Sequence, residues 1–295
     1  MTQRISSVFC ANGFCIQFDL TNVFAENSPH TMKLNIVPAR TGLAWVKSGV
    51  KTFLQQPLAL SGLFFMFMAL LSIASMLPFI GSALALALLP AATLGLMAAT
   101  QEATKGKFPM PSILISAFRA GKQRLKAMVT LGAMYAVGFL LIMGLSSLID
   151  GGQFAKLYLV GGKITEELVL QPDFQAAMWV TLALYVPLSL MFWHAPALVH
   201  WRGVTPVKSV FFSFMACYKN FGAFTVYSLV WMGMFLLAML VVGLVAALFG
   251  NAAFATLAMF PIVLVFFAMF FTSIYFTFQD SFEATEGAPH DTAQP

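Results

Sequence analysis

The sequence has very little charge. Only 9% of its 295 residues are Asp, Glu, Lys or Arg, whereas a soluble domain carries about 25%. Hydrophobic residues make up 60% of the chain, and the mean hydropathy is +0.85. A soluble protein of this composition would expose large apolar patches and aggregate, because it lacks the polar side chains to cover its surface. The composition therefore predicts a protein whose main solvent is lipid.

Cysteine and catalytic motifs are also scarce. The three cysteines are Cys10, Cys15 and Cys217, and no two of them have the C-x-x-C spacing of a zinc site. The sequence contains no H-E-x-x-H, G-x-S-x-G or P-loop pattern. The segments outside the apolar runs are too short to hold a catalytic domain. We therefore expect no enzymatic activity, no metal and no cofactor.

Long uncharged runs dominate what is present. Four segments contain no Lys, Arg, Asp or Glu: 52–101, 127–149, 174–201 and 220–279. A helix needs about 20 apolar residues to cross the hydrocarbon core. The first run is long enough for two helices and is interrupted at Pro78–Gly81, and the last is interrupted at Gly250–Asn251.

These runs predict an all-α polytopic membrane protein with six transmembrane helices. Strands of a barrel are not indicated, because the runs are continuous and do not alternate between apolar and polar residues. The six spans are predicted near 58–77, 79–100, 128–149, 176–201, 222–249 and 252–278.

Basic residues are distributed unevenly among the predicted connections. The connection between the second and third spans carries six of them, whereas the connection at 150–175 has only Lys156 and Lys163 beside four acidic residues. Connections rich in Lys and Arg stay in the cytoplasm. We therefore expect a multi-pass protein of the bacterial inner membrane with both termini in the cytoplasm. The formal net charge of +5 does not indicate nucleic acid, because basic residues in such short connections normally meet anionic headgroups.

The six spans are predicted to form three hairpins, each preceded by a basic amphipathic helix at the membrane interface. Apolar residues fall at helical spacing in each of these three segments: Leu43, Val46, Val50 and Phe53; Leu114, Ala117, Phe118 and Leu125; Val207, Val210, Phe211, Phe214 and Tyr218. Basic residues on the other faces are predicted to contact anionic lipid: Lys47, Lys51, Arg119, Lys122, Arg124, Lys126, Lys208 and Lys219.

The even-numbered spans share a proline about ten residues from their outer end, namely Pro90, Pro187 and Pro261. Proline removes a backbone hydrogen bond and kinks a helix. Such kinks could line a cavity, but proline is ordinary in membrane helices. Simple packing is the favoured interpretation, and the cavity stays an alternative.

His194 is a polar residue within the predicted fourth span, between Pro187 and Pro196. It could titrate or bind a ligand in a small cavity. The favoured interpretation is a neutral histidine that forms a hydrogen bond with a neighbouring helix.

Both ends of the chain differ from the rest. Residues 1–31 show no helical period, and our hypothesis is that they are a disordered extension or an annotation artefact, with translation starting at Met32. Residues 32–279 then form the membrane domain. Residues 280–295 are expected to be a disordered acidic cytoplasmic tail.

The opening of the predicted membrane domain resembles a known family. Met32-Lys33-Leu34-Asn35-Ile36-Val37-Pro38-Ala39-Arg40, Trp45-Val46-Lys47 and Gln56-Pro57-Leu58 are similar to an uncharacterised family of proteobacterial six-span inner-membrane proteins. The resemblance covers about residues 32–280 and implies the six-span fold. It implies no activity.

Function stays open between classes. The leading hypothesis is a membrane-organising or accessory protein whose partners are anionic lipids and possibly other membrane proteins or a second copy of itself. The alternative is a transporter or channel for a neutral or amphipathic solute that passes along the kinked spans. An enzyme acting on lipid is the weakest hypothesis. A polar path between the kinked spans would favour transport, and a packed apolar interior would favour the accessory role.

Overall fold

The structure is a computed structural model that describes residues 6–11, 14–19, 34–78, 80–248 and 252–282. The chain divides into two units, 1–34 and 35–295. In the first unit, strand β1 (Ser6–Ala11) pairs antiparallel with β2 (Phe14–Asp19), so that Ser6 lies opposite Asp19. The hypothesis that residues 1–31 are an extension or an annotation artefact stays a prediction.

The described part of the second unit is all-α. Its helices are α1 (Thr41–Gln55), α2 (Pro57–Ser75), α3 (Gly81–Thr104), α4 (Ser116–Arg119), α5 (Lys122–Asp150), α6 (Gln153–Leu159), α7 (Glu166–Leu170), α8 (Pro172–Trp193), α9 (Ala195–Arg202), α10 (Pro206–Lys219), α11 (Phe221–Leu248) and α12 (Ala252–Phe282).

Six segments are long and apolar enough to cross a membrane, which confirms the predicted fold class. They are helices α2, α3, α5 and α11, the consecutive helices α8 and α9 (Pro172–Arg202), and the part Met259–Phe282 of α12. Each predicted pair of consecutive spans is in contact: α2 with α3, α5 with α8, and α11 with α12. Helix α3 also packs on α5, which joins the first pair to the second.

The first core cluster lies between α2 and α3. Phe53 of α1 and Ala268 of α12 complete it, together with the residues Leu60, Leu63, Phe64, Phe67, Ala92, Leu96, Ala99 and Ala103. A second cluster is aromatic and joins α1 to α11 around Trp45, Tyr227 and Trp231. Helix α1 therefore connects both clusters.

The second predicted amphipathic helix is wrong as a continuous element. Residues Pro111–Ile115 form a 3-10 helix, α4 has a single turn, and the chain breaks at Gly121 before α5 begins. Gly121 has a φ of 95°, a conformation that glycine adopts without steric cost. The break places Lys122, Arg124 and Lys126 in the first turns of the third span, so they do not lie on a separate interfacial helix.

The other two predicted amphipathic helices exist as α1 and α10, but their buried faces differ from the prediction. In α1, Val46 and Phe53 are buried, whereas Leu43 is exposed. In α10, the buried residues are Ser209, Ser213, Ala216 and Cys217, and the apolar residues Val207, Phe211 and Tyr218 are exposed. Whether these helices lie in the headgroup layer stays a prediction.

The last span extends further than expected. Helix α12 ends at Phe282, so residues 280–282 are helical and the predicted tail does not begin at Asp280. The remainder of that predicted tail, 283–295, lies outside the described residues.

Candidate functional site

The basic residues predicted to contact lipid are accessible. Seven of the eight are exposed, and Lys208 is half-buried. The ion pairs within the described residues join Glu102 to Lys105 and Lys107, so none of the eight has an acidic partner in that part of the chain. Accessible cations without an internal partner are available to an external anion.

Close helix packing fixes the position of α1. A side chain at Gly42 would overlap the backbone of Ala223 in α11, and one at Gly49 would overlap Ser273 in α12. Between these two glycines, the indole Nε1 of Trp45 donates a hydrogen bond of 2.8 Å to Oδ2 of Asp280. Helix α1 is therefore held against α11 and α12 along one face.

Lys47 and Lys51 lie on the exposed part of α1, four residues apart. Residues at this spacing are neighbours on a helix surface, with Cβ atoms about 6 Å apart. They border a groove of about 590 Å³ between α1 and α11. The remaining lining is mostly apolar: Leu43, Val46, Val50, Leu54, Gln55, Val230 and Met234. The groove thus combines an apolar floor with two cations on its rim.

A second cavity, of about 430 Å³, lies where α5 begins and α9 turns into α10. Arg124 and Lys126 are its charged lining residues. Arg119 and Lys122 belong to the same predicted basic group but do not line it. The structure therefore divides this group into two pairs with different surroundings.

His194 lies at a break in the fourth span. It separates α8 from α9 and is fully buried. Its backbone N–H donates to Oγ of Ser213 at 2.9 Å, and that hydroxyl donates to the carbonyl oxygen of Leu190 at 2.8 Å. The imidazole Nε2 lies 3.1 Å from Oγ1 of Thr277 in α12. This is the geometry of the favoured interpretation, in which the histidine bonds to a neighbouring helix.

Cys217 lies beside His194, which is a pairing found in thiol enzymes. The two side chains are 3.9 Å apart between Sγ and Nδ1. Burial raises the pKa of the Cys217 thiol, and the thiolate is the nucleophilic form. The Sγ atom also lies 3.8 Å from the Leu190 carbonyl oxygen, to which it donates a weak hydrogen bond. The contact between Cys217 and His194 joins α10 to the break in the fourth span.

The three prolines have different surroundings. Pro90 is buried, Pro187 is half-buried and Pro261 is exposed. None of the three prolines lines the groove or the second cavity, and neither does His194. The structure therefore does not bring these four candidates together around either described cavity.

Sequence reasoning missed the polar contacts that hold the chain before α1. The side chain of Asn220 accepts a hydrogen bond from the N–H of Val37 at 2.8 Å and donates to the carbonyl oxygen of Asn35 at 3.0 Å. The N–H of Asn35 donates to the carbonyl oxygen of Ser281. The available signal was Asn220 itself, a polar residue at the start of an uncharged run.

Comparison with known proteins decides the family. The chain is 37% identical over 262 residues to a probable inner membrane protein of Burkholderia thailandensis, and the match covers 88% of this chain and 97% of the relative. The chain belongs to this family of inner membrane proteins. Its membership confirms the predicted family and the inner-membrane location. The cytoplasmic position of the termini stays a prediction.

No protein-family model matches the chain, and no solved structure matches it. The name of this relative states an inner-membrane location and no activity.

Proposed function

We propose that this inner membrane protein is an accessory or membrane-organising protein that binds anionic phospholipid through its basic residues. Contacts with other membrane proteins, or with a second copy, would form around this lipid. The proposal includes no catalytic step and no cofactor.

The groove between α1 and α11 carries the proposal. A phospholipid joins an apolar chain to an anionic phosphate, and the groove places Lys47 and Lys51 beside Leu43, Val46, Val50, Leu54, Val230 and Met234. Each basic side chain near an anionic membrane surface contributes about 1 kcal/mol of attraction. The apolar lining can pack against an acyl chain, since packing rather than removal from water drives apolar contacts within lipid. One ligand can satisfy both parts of the groove.

The groove also favours lipid over the transport alternative. The transport alternative places a solute path along the kinked spans, whereas the groove is lined by residues of α1 and α11 and by none of the three prolines. Helix α1 precedes the first span and α11 is the fifth.

The test is the retention of phosphatidylglycerol by protein purified in a mild detergent. Changing Lys47 and Lys51 to Gln removes both rim charges, and two such charges correspond to a loss of roughly thirtyfold in affinity. Val230→Trp fills the groove and keeps both lysines, so it should also lower retention. Bound lipid is measured by native mass spectrometry.

Lys105→Gln with Lys107→Gln is the matched control. It removes two lysines that are also exposed, but these two pair with Glu102 and lie outside the groove. We expect the control to retain lipid like the wild type. Equal retention by all variants and the wild type would contradict the proposed function.

A further inference from the structure

The cavity at the start of α5 is surrounded by two helix ends and one turn. Its lining comes from the first turns of α5, the end of α9, and the turn into α10: Gln123, Arg124, Lys126, Ala127, Thr130, Val199, Gly203, Val204, Thr205 and Pro206. The break at Gly121 makes this arrangement possible, because it starts α5 beside the turn rather than continuing α4. The cavity is therefore part of the helical framework.

The two cationic side chains of this cavity, Arg124 and Lys126, have no partner of their own in the described part of the chain. Neither the guanidinium of Arg124 nor the ammonium of Lys126 has an ion pair or a hydrogen bond within the described residues. Thr205 precedes α10 but its hydroxyl makes no capping bond to that helix.

The helix ends add to the positive potential. The N-terminus of α5 and that of α10 both border the cavity, and neither has a side-chain cap. A helix N-terminus carries a partial positive charge that favours anions. The C-terminus of α9 borders the same cavity and carries a partial negative charge. The two N-termini offset it, so the full charges of Arg124 and Lys126 set the positive sign of this space of about 430 Å³.

We propose that this cavity binds the phosphate of one anionic phospholipid, held by Arg124 and Lys126. The inference rests on the proposed function and deepens it, because it separates a specific site from general attraction to the membrane surface. A lipid headgroup is the occupant that fits, since the cavity lies where the third span begins and basic pockets between transmembrane helices bind such headgroups. The buried Val199 and the half-buried Val204 and Ala127 supply apolar contact for the beginning of the acyl chains.

The sequence offers a closely matched pair of variants. Arg124→Gln with Lys126→Gln removes one Arg and one Lys from the cavity. Arg119→Gln with Lys122→Gln removes one Arg and one Lys that are also exposed but lie outside it. Both variants change the charge of the same connection by the same amount. Arg124→Lys with Lys126→Arg keeps both charges in the cavity.

The experiment measures phosphatidylglycerol bound to full-length protein in detergent at about 1 M salt, where the Debye length is about 3 Å and general attraction is screened. We expect the wild type, the outside pair and the charge-keeping variant to retain one lipid per chain. The cavity pair should lose roughly tenfold or more in affinity, because its direct charge-assisted hydrogen bonds to the phosphate act at contact distance and are not screened. Thermal unfolding of each variant shows that the cavity pair is folded.

Several outcomes would overturn the inference. Equal loss in the cavity pair and the outside pair would mean that only overall charge matters. Displacement of the lipid by inorganic phosphate, at the concentration at which phosphatidylglycerol displaces it, would make the site one for a soluble anion. Absence of anionic lipid from the wild type even at low salt would instead contradict the proposed function itself.

Discussion

The hydroxyl of Ser213 replaces a backbone hydrogen bond in the fourth span. In an uninterrupted helix, the N–H of His194 would donate to the carbonyl oxygen of Leu190. Here the serine lies between the two groups, accepting from one and donating to the other. Side chains that insert into this ladder bend helices. Pro196 lies two residues further on, at the start of α9. It has no N–H, so the carbonyl oxygen of Phe192 also lacks its usual backbone donor at this break.

We expect Ser213→Ala to lower the free energy of unfolding by about 1 kcal/mol, the size of an interhelical hydrogen bond in a membrane protein. The substitution leaves the His194 N–H and the Leu190 carbonyl oxygen without the serine between them. Ser209→Ala is the control, since Ser209 is equally buried but bonds only to Pro206 in its own helix. The free energy of unfolding of both variants is measured in detergent. Equal losses for Ser213→Ala and Ser209→Ala would contradict the bridging role of Ser213.

Part of this region could be predicted from the sequence. His194 attracted attention as a polar residue between two prolines, and its hydrogen bond to another helix was the favoured interpretation. Its partners could not be predicted, because Ser213 and Thr277 lie on other helices, 19 and 83 residues away. Helical periodicity determines which residues share a face, but it does not determine which faces meet.

Helix α1 depends on two glycines for its position. Val at position 49 would overlap the backbone and Cβ of Ser273. Overpacking of this kind destabilises a protein by about 1–3 kcal/mol.

We therefore expect Gly49→Val to lower the thermal stability in detergent and to weaken the packing of α1 on α12. Gly62→Val in α2 is the control, because no atom lies within 4 Å of the added Cβ and the change in helix propensity is the same. A stability loss that is no larger at Gly49 than at Gly62 would show that the contact is unimportant.

The spans were predictable as elements, whereas the segments between them were only partly so. Apolar runs of membrane length have few alternatives to a helix, since lipid offers no partner for free backbone groups. Gly121 breaks a segment whose spacing looked helical, because the chain must turn there to begin α5. Helix α10 turns its serines inward and its aromatic residues outward, since Ser213 meets the broken span and lipid tolerates apolar side chains on the outside.

At the scale of the whole molecule, the groove and the cavity lie on connections that are both predicted to be cytoplasmic. The groove depends on Lys47 and Lys51 before the first span, and the cavity depends on Arg124 and Lys126 at the start of the third. Two spans, α2 and α3, lie between the two pairs of basic residues, so the chain crosses the membrane twice and returns to the same side. Both sites would therefore meet the same leaflet, which is the anionic one if the predicted orientation holds.

Reporter fusions test that orientation. A reporter that is active only in the periplasm should be active after Gly162, which lies between α6 and α7, and silent after Gly121, Gly203 and Gly287. The physical reason is the asymmetry of Lys and Arg, which are retained on the cytoplasmic side during insertion. A reporter that is active only in the cytoplasm, fused at the same four positions, is the control and should give the reverse pattern. Periplasmic activity after Gly121 would place Arg124 and Lys126 at the outer surface, and the lipid of the cytoplasmic leaflet could then not reach the cavity.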